Sequence, residues 1–161
     1  MSALCYDLIS LLRKKHLTLA CAESCTGGLI AKTITDVAGC SDVFTGGVVS
    51  YANEVKTNIL GVLPSTLEKY GAVSDETARE MALGVRRACL ADVGISTTGI
   101  AGPTGAIEGK PVGTVYVGIS FDNICESFRL NINPAFSREQ IREAAVSELL
   151  ELLYKKISEK Y

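Results

Sequence analysis

The sequence has none of the features that mark several common functional classes. It contains one histidine, His16, and its six cysteines include no Cys-x-x-Cys pair, so no zinc or redox cluster is recognisable. No apolar run approaches a membrane span in length, and a formal net charge of −2 provides no basic stripe for nucleic acid. The N-terminus lacks the positive charge of a secretory signal. We therefore expect a soluble, cytoplasmic protein with free thiols, no metal, and neither a nucleic-acid nor a membrane partner.

The length and composition suit a single domain. The 161 residues are 47% hydrophobic and 21% charged, which is enough apolar material for one sizeable core. No linker, internal repeat or low-complexity segment divides the chain. We therefore treat residues 1–161 as one domain.

Apolar residues recur at helical spacing in some segments, whereas in others they alternate or form short β-branched runs. Helices are predicted at residues 3–15, 28–37, 54–60, 64–70, 75–89 and from 138 onwards. Strands are predicted at residues 17–22, 43–51, 93–98, 112–121 and 124–132, the last two joined by a hairpin turn. This order predicts an α/β fold, a three-layer α/β/α sandwich on a mixed sheet of about five strands.

Residues 22–28, Ala-Glu-Ser-Cys-Thr-Gly-Gly, lie between a buried strand and a helix. The first N–H groups of a helix have no intrahelical partner, and glycines allow a ligand to approach the backbone closely. An anionic group, or an oxyanion formed during a reaction, would be stabilised there. The alternative is that Thr26 only caps a helix and that Gly27 and Gly28 only form a tight turn.

A second glycine-rich loop, residues 99–105, follows another predicted core strand and continues to Pro111 as a lid-like segment. Ligands of open α/β sheets bind at the carboxyl ends of the strands, so we expect both loops to face one crevice. The spacing of Gly99, Gly102 and Gly105 is not that of a dinucleotide fingerprint. Pro111 stands where a Walker loop needs a hydroxyl, which argues against an NTPase or a kinase.

The favoured nucleophile is Ser24, activated by a lysine. Histidine-dependent catalysis is set aside because His16 lies at the opposite end of the first strand from Ser24. With Asn53 as the N-cap of the short helix, Lys56 would be its third residue, where the positive helix end and partial burial both disfavour the ammonium form. Tyr51, at the end of a strand, would pass or orient the proton.

Each of these residues also has a plainer interpretation. Lys56 fits an exposed position on a surface helix, and Tyr51 fits a strand residue with its hydroxyl in solvent. Cys25 is the second candidate nucleophile, although it has no imidazole partner to activate it. Glu23 either orients the nucleophile or is a solvated charge.

Five segments, in order between about residues 17 and 121, resemble the signature of the CinA C-terminal domain family, also known as the nicotinamide-nucleotide amidohydrolases. The segments are residues 22–28 (AESCTGG), 49–56 (VSYANEVK), 71–74 (GAVS), 98–105 (TGIAGPTG) and 110–113 (KPVG). The resemblance implies a three-layer sandwich that commonly dimerises. It also implies hydrolysis of nicotinamide mononucleotide to nicotinate mononucleotide and ammonia, a step of pyridine-nucleotide recycling, without a cofactor.

Carried over residue by residue, the resemblance assigns Ser24 as nucleophile, Lys56 as base and Tyr51 as an assisting residue. It implies that Thr26, Gly27 and Gly28 donate to the phosphate or to the oxyanion. The full expected substrate-binding set is Glu23, Thr26, Gly27, Gly28, Asn53, Gly99, Ile100, Ala101, Gly102 and Pro103. The alternative function is a catalytically inactive nucleotide-binding module of the same family that regulates by occupancy.

Two departures from the family pattern are visible. Family members often carry an N-terminal nucleotide-pyrophosphatase domain, whereas this sequence starts at the C-terminal domain, so only the deamidase half is expected. Before the last helix the family usually has Phe-x-Gly-Asp-Arg, and residues 134–138 here read Pro-Ala-Phe-Ser-Arg. Arg138 and Arg142 are retained, but the glycine and the aspartate are not.

Overall fold

A five-stranded sheet forms the middle of the molecule, and helices cover both of its faces. The computed structural model describes residues 2–161. The strands are β1 (Leu19–Glu23), β2 (Phe44–Val49), β3 (Val93–Gly99), β4 (Thr114–Phe121) and β5 (Ile124–Asn131). The helices are α1 (Ser2–Lys14), α2 (Leu29–Thr35), α3 (Asn53–Leu60), α4 (Pro64–Tyr70), α5 (Asp75–Ala88) and α6 (Arg138–Lys160). None of these helices has both the length and the hydropathy needed to cross a membrane.

The strands are arranged in the order β2-β1-β3-β4-β5. β1 pairs in parallel with β2 and β3, whereas β4 pairs antiparallel with β3 and β5. Helices α1, α2 and α6 pack on one face of the sheet, and α3, α4 and α5 pack on the other. The predicted α/β/α sandwich on a mixed sheet is therefore confirmed.

Every predicted helix and strand is present, with bounds that differ from the prediction by at most two residues, and the differences at the starts of β1 and α3 have identifiable causes. Leu17, predicted to open β1, donates its N–H to Leu12 O at 2.9 Å and closes α1, because His16 reverses the chain with a φ of 56°. Asn53, predicted as the N-cap of α3, is its first helical residue, and the extended Ala52 is the N-cap, without a side-chain bond. Lys56 is consequently the fourth residue of the helix rather than the third.

The side chains of β1 alternate between two cores. Leu19 and Cys21 belong to the core shared with α1, α2 and α6, whereas Ala20 and Ala22 pack in the core that includes α5. The same alternation directs Glu23 towards α2, whose N–H groups it contacts, and Ser24 towards Lys56 of α3. The consecutive residues Glu23 and Ser24 therefore point to opposite faces of the sheet.

Helix α5 lies directly against the backbone of β3 and β4. A Cβ on Gly94 would be 2.2 Å from Ala82 O, and one on Gly118 would be 2.3 Å from Ala78 O, so only glycine permits this approach. The Ser96 hydroxyl donates to Ala78 O at 2.6 Å and links the two layers. The contact sets the position of α5 and of the residues just before it, which lie near the carboxyl ends of the strands.

Replacing Gly118 with alanine should destabilise the fold. Overpacking of this kind costs about 1–3 kcal/mol and should lower the midpoint of urea unfolding. Gly61→Ala is the control, because nothing lies within 4 Å of a Cβ there although its φ of 70° is left-handed. Its loss should be limited to a backbone strain of about 1 kcal/mol. Equal losses at both positions would contradict a close contact between α5 and the sheet.

Candidate active site

The carboxyl ends of the parallel strands surround a cleft of about 330 Å³. Ser24 directly follows β1, Tyr51 lies just beyond β2, and Gly99 ends β3, so the topology brings them to one edge of the sheet. Of the predicted site residues, the cleft is lined by Ser24, Tyr51, Asn53, Lys56, Gly99, Ile100, Ala101 and Gly102. Residues outside that predicted set also line it: Cys25, Ala72, Val73, Thr98, Thr104, Gly105 and Arg138.

Lys56 is buried, with 1% of its surface exposed, and its ammonium nitrogen reaches Ser24. Nζ donates to Ser50 O at 2.7 Å, to Ser24 Oγ at 3.2 Å and to Tyr51 O at 3.4 Å. These contacts account for the three donors of a lysine side chain. The serine and lysine favoured from the sequence are therefore neighbours in the folded protein.

The environment of Lys56 disfavours its charged form. Burial lowers the pKa of Lys56 below 10.5, opposed only by the nearby Cys25. Within residues 2–161 no carboxylate forms a salt bridge with Lys56, and its acceptors are neutral oxygens. A buried lysine with a lowered pKa is the type of group that activates a serine hydroxyl.

Backbone hydrogen bonds fix the positions of Ser24 and Lys56 relative to each other. The Ser50 N–H donates to Glu23 O at 2.8 Å, and the Ser24 N–H donates to Thr97 O at 3.0 Å. Ser50 O in turn accepts from Lys56. The nucleophile candidate and the acceptor of its partner lysine are thus fixed to adjacent strands of the sheet.

Four of the predicted substrate-binding residues face away from the cleft. Glu23, Thr26, Gly27 and Gly28 do not line it, because the Glu23 side chain turns to the start of α2. Its carboxylate accepts the N–H groups of Gly28, Ile30 and Ala31, so the Gly28 N–H, one of the donors expected to bind phosphate, is occupied. The Thr26 hydroxyl donates to Glu23 at 2.6 Å, and the Gly27 N–H donates to Ser24 O at 3.2 Å. The hydrogen-bond donors at the start of α2 are therefore occupied by acceptors within the protein.

Tyr51 and Pro103 are also placed differently from the expectation. The Tyr51 side chain is 62% exposed, and its hydroxyl accepts a hydrogen bond from Arg138 at 3.0 Å. Only its backbone oxygen contacts Lys56. Pro103 does not line the cleft, although its neighbours in the loop do.

Arg138, the first residue of α6, is the charged residue among the cleft residues outside the predicted set. It donates to Gly102 O at 2.7 Å as well as to the Tyr51 hydroxyl. Ser137 caps α6 by accepting from the Gln140 N–H at 3.2 Å. The sequence signal that pointed to this residue was a retained arginine next to the capping box at the start of α6.

The loop that closes the far side of the cleft is tied to the rest of the protein. Lys110 donates to Val73 O at 2.6 Å and to Tyr70 O at 3.2 Å. The Thr98 hydroxyl donates to Ala72 O at 2.6 Å. These bonds join the glycine-rich loop to the segment between α4 and α5, and both form walls of the cleft.

Cys25 is a poor nucleophile in this setting. Burial raises the pKa of Cys25 to about 12, so its thiol stays protonated at neutral pH. Among residues 2–161 no group of three or more His, Cys, Asp or Glu side chains is arranged to hold a metal ion. A larger groove of about 630 Å³ between α3 and α5 is lined by no serine, threonine, cysteine, histidine or lysine.

The fold and the cleft define an α/β protein with a serine–lysine pair at the carboxyl edge of its sheet. Residues 2–157 match the CinA C-terminal domain, and the chain belongs to that family. A provisionally named competence-damage inducible protein of Thermoanaerobacter sp. (strain X514) is 56% identical over 146 residues, covering 91% of this chain and 35% of that protein. A CinA-like protein of Kosmotoga olearia is 55% identical over 112 residues, covering 70% of this chain and 27% of that protein.

Solved structures agree with this assignment. Competence/damage inducible protein CihA from Agrobacterium tumefaciens matches with a TM-score of 0.90 and 38% identity over 94% of this chain and 92% of that one. A CinA superfamily protein from Klebsiella pneumoniae 700603 matches with a TM-score of 0.94 and 31% identity over 98% of each chain. The present chain spans about a third of the length of the curated relatives that it matches. None of these names states a substrate or a reaction.

The contribution of Lys56 to stability should depend on pH. The unfolded chain holds the Lys56 proton up to about 10.5, whereas the folded protein releases it at lower pH. Between those two values the unfolded state binds more protons, so the free energy of unfolding rises with pH. Below this window Lys56 is charged in both states, and the full cost of burying its charge lowers the free energy of unfolding.

Urea unfolding of the parent and of Lys56→Met between pH 7 and 11 measures this effect. The difference in unfolding free energy between the two proteins should shift in favour of the parent as the pH rises. A difference that stays constant would show that Lys56 has an ordinary pKa.

Proposed function

We propose that the protein hydrolyses the carboxamide of nicotinamide mononucleotide, releasing nicotinate mononucleotide and ammonia, with Ser24 as nucleophile and Lys56 as base. The observation that carries the proposal is the 3.2 Å contact between the Ser24 hydroxyl and a buried lysine that has no acidic partner in the described chain. The family resemblance suggests the substrate. The pair of side chains suggests the type of reaction.

The neutral form of Lys56 suits a general base. Two of its N–H bonds remain on the carbonyls of Ser50 and Tyr51, and the lone pair is left for the Ser24 proton. As Lys56 takes that proton, Oγ attacks the carboxamide carbon and forms a tetrahedral intermediate. The protonated lysine then donates to the leaving nitrogen, ammonia departs, and an acyl-enzyme ester remains. Water hydrolyses the ester by the same proton route in reverse, giving the carboxylate.

The oxyanion of the intermediate needs donors other than those first expected. The N–H groups of Gly28, Ile30 and Ala31 are engaged by Glu23. The N–H of Cys25, the residue after the nucleophile, donates to no backbone carbonyl among residues 2–161, and Cys25 lines the cleft. Serine hydrolases with a comparable turn use the N–H at this position for the oxyanion. We assign it the same role here.

The charge of the cleft favours an anionic substrate. Among residues 2–161, its lining residues include the cation Arg138 and no aspartate or glutamate. Arg138 donates only to a neutral hydroxyl and a backbone carbonyl, so its charge has no ionic partner in the described chain. We assign the substrate phosphate to Arg138, in place of the Thr26-Gly27-Gly28 donors.

The inactive nucleotide-binding module is the alternative. Such a module would need the cationic cleft but not the contact between Ser24 and Lys56, and that contact favours the amidase. A cytoplasmic location and a homodimer remain part of the proposal as the sequence and the resemblance suggested them.

Ammonia release from nicotinamide mononucleotide by the parent protein tests the reaction. Ser24→Ala and Lys56→Arg should each lower kcat by about 1,000-fold or more. Arginine keeps the charge of residue 56 but does not give up its proton, so Lys56→Arg separates the base from a structural cation. In the parent, kcat/KM should rise with pH to a plateau, with an apparent pKa below 10.5. EDTA should leave the rate unchanged.

A parent that binds the nucleotide yet releases no ammonia would favour the inactive module. Substantial activity in Lys56→Arg would remove Lys56 as the base. Strong inhibition by EDTA would contradict the metal-independent route.

Arg138 should discriminate between phosphorylated and unphosphorylated substrates. Loss of a hydrogen bond to a charged group costs about 1.5–3 kcal/mol, so Arg138→Met should lower kcat/KM for nicotinamide mononucleotide by about 10- to 100-fold. The same variant should change little with nicotinamide riboside, which lacks the phosphate. Parallel losses on both substrates would show that Arg138 supports the cleft without binding phosphate.

A further inference from the structure

Glu23 has a buried carboxylate that has no role in the proposed reaction. The residue is 1% exposed, and within residues 2–161 it forms no salt bridge. Oε2 accepts from the Thr26 hydroxyl at 2.6 Å and from the N–H groups of Gly28 and Ile30 at 3.0 Å. Oε1 accepts from the Ala31 N–H at 2.9 Å. These partners are all donors, so both oxygens are needed as acceptors.

The network extends from this carboxylate to β3. The Thr26 hydroxyl has one proton, which it donates to Glu23, so the Thr97 hydroxyl at 2.7 Å must donate to Thr26. Thr97 O also accepts the Ser24 N–H at 3.0 Å. Arg142 donates to Thr26 O from the other side, through Nε at 3.1 Å. The turn that carries Ser24 is therefore held by β3, α2 and α6 together.

The main chain of Glu23 is linked to the base. Glu23 O accepts the Ser50 N–H at 2.8 Å, and Ser50 O accepts from Lys56 Nζ at 2.7 Å. Glu23 thus contacts the turn that carries Ser24 through its side chain and, through its main chain, the Ser50 backbone that accepts from Lys56. A displacement of Glu23 would change the distance between Ser24 Oγ and Lys56 Nζ.

We propose that Glu23 is a positioning residue, whose carboxylate holds the 24–28 turn so that Ser24 stays within reach of Lys56 and the Cys25 N–H faces the cleft. The inference rests on the proposed amidase function. Glu23 does not line the cleft, so it touches neither the substrate nor the reacting atoms. Its effect should appear in the rate of the chemical step and not in substrate binding.

Glu23→Gln tests the inference, because the amide has nearly the same shape but sets an NH₂ group against N–H donors. A displacement of about 1 Å costs about 100-fold in rate, so kcat should fall by that order while KM stays within about twofold. Glu80→Gln is the matched control. Glu80 accepts the Leu63 N–H at 2.8 Å and the Thr66 hydroxyl at 2.6 Å near the start of α4, outside the cleft. Its kcat should equal that of the parent.

Labelling of Ser24 by a fluorophosphonate provides a second readout that needs no turnover of the nucleotide. The labelling rate of Glu23→Gln should fall together with kcat, whereas Glu80→Gln should label like the parent and Ser24→Ala should not label. A parent that labels at Ser24 but releases no ammonia would reject the proposed function and still test Glu23 through the labelling rate. A parent that does neither would overturn both proposals.

An unchanged kcat and labelling rate in Glu23→Gln, or a rise in KM alone, would overturn the positioning role. If Glu23→Gln does not fold, Thr26→Val and Thr26→Ser replace it, since only serine keeps the hydroxyl that bonds Glu23. Thr26→Ser should label at least about tenfold faster than Thr26→Val, from the loss of one hydrogen bond to a charged group. Equal rates for these two variants would overturn the inference.

Discussion

The burial of Lys56, which has no carboxylate partner among residues 2–161, is the constraint on which the cleft depends. An ammonium group taken out of water needs acceptors, and Lys56 finds them in the carbonyls of Ser50 and Tyr51. Those carbonyls are available only because the chain leaves β2 immediately before α3, and because Ser50 stays paired with Glu23 of β1. The position of the amine next to Ser24 is therefore a consequence of strand pairing, and the small residues of β1 allow the layers to come close enough for it.

The cleft also shows how a helix start can be present beside a candidate nucleophile without serving as an anion site. In this protein the carboxylate of Glu23 occupies the first N–H groups of α2. Among the residues that line the cleft, positive charge comes instead from Arg138, at the start of α6. The N–H groups at the start of α2 therefore stabilise the fold, whereas Arg138 is the cation available in the cleft.

Much of the fold was predictable because its signals are local. Helical spacing, β-branched runs and turn residues identify each element, and alternation along β1 would have directed Glu23 towards α2 had it been applied to that residue. The proximity of Ser24 and Lys56 was inferred from their membership of the family motifs and from the strand order. Arg138 was not predicted as a cleft residue because its contacts are distant in sequence, 36 residues from Gly102 and 87 from Tyr51. The retained arginine and the adjacent capping box indicate the residue but not the partners that it contacts.

The glycines beneath α5 have a mechanical consequence. Where Gly94 and Gly118 let the helix and sheet backbones come close, the nearest atoms are the carbonyl oxygens of Ala82 and Ala78, and little side-chain volume is left to be compressed or to change rotamer. Any increase in volume there is passed on as a movement of the whole helix, whose N-terminal end adjoins Ala72 and Val73 in the wall of the cleft. The opposite layer, which packs through long aliphatic side chains, can absorb similar changes locally. Substitutions far from Ser24 should therefore alter the width of the cleft on one side of the sheet much more than on the other.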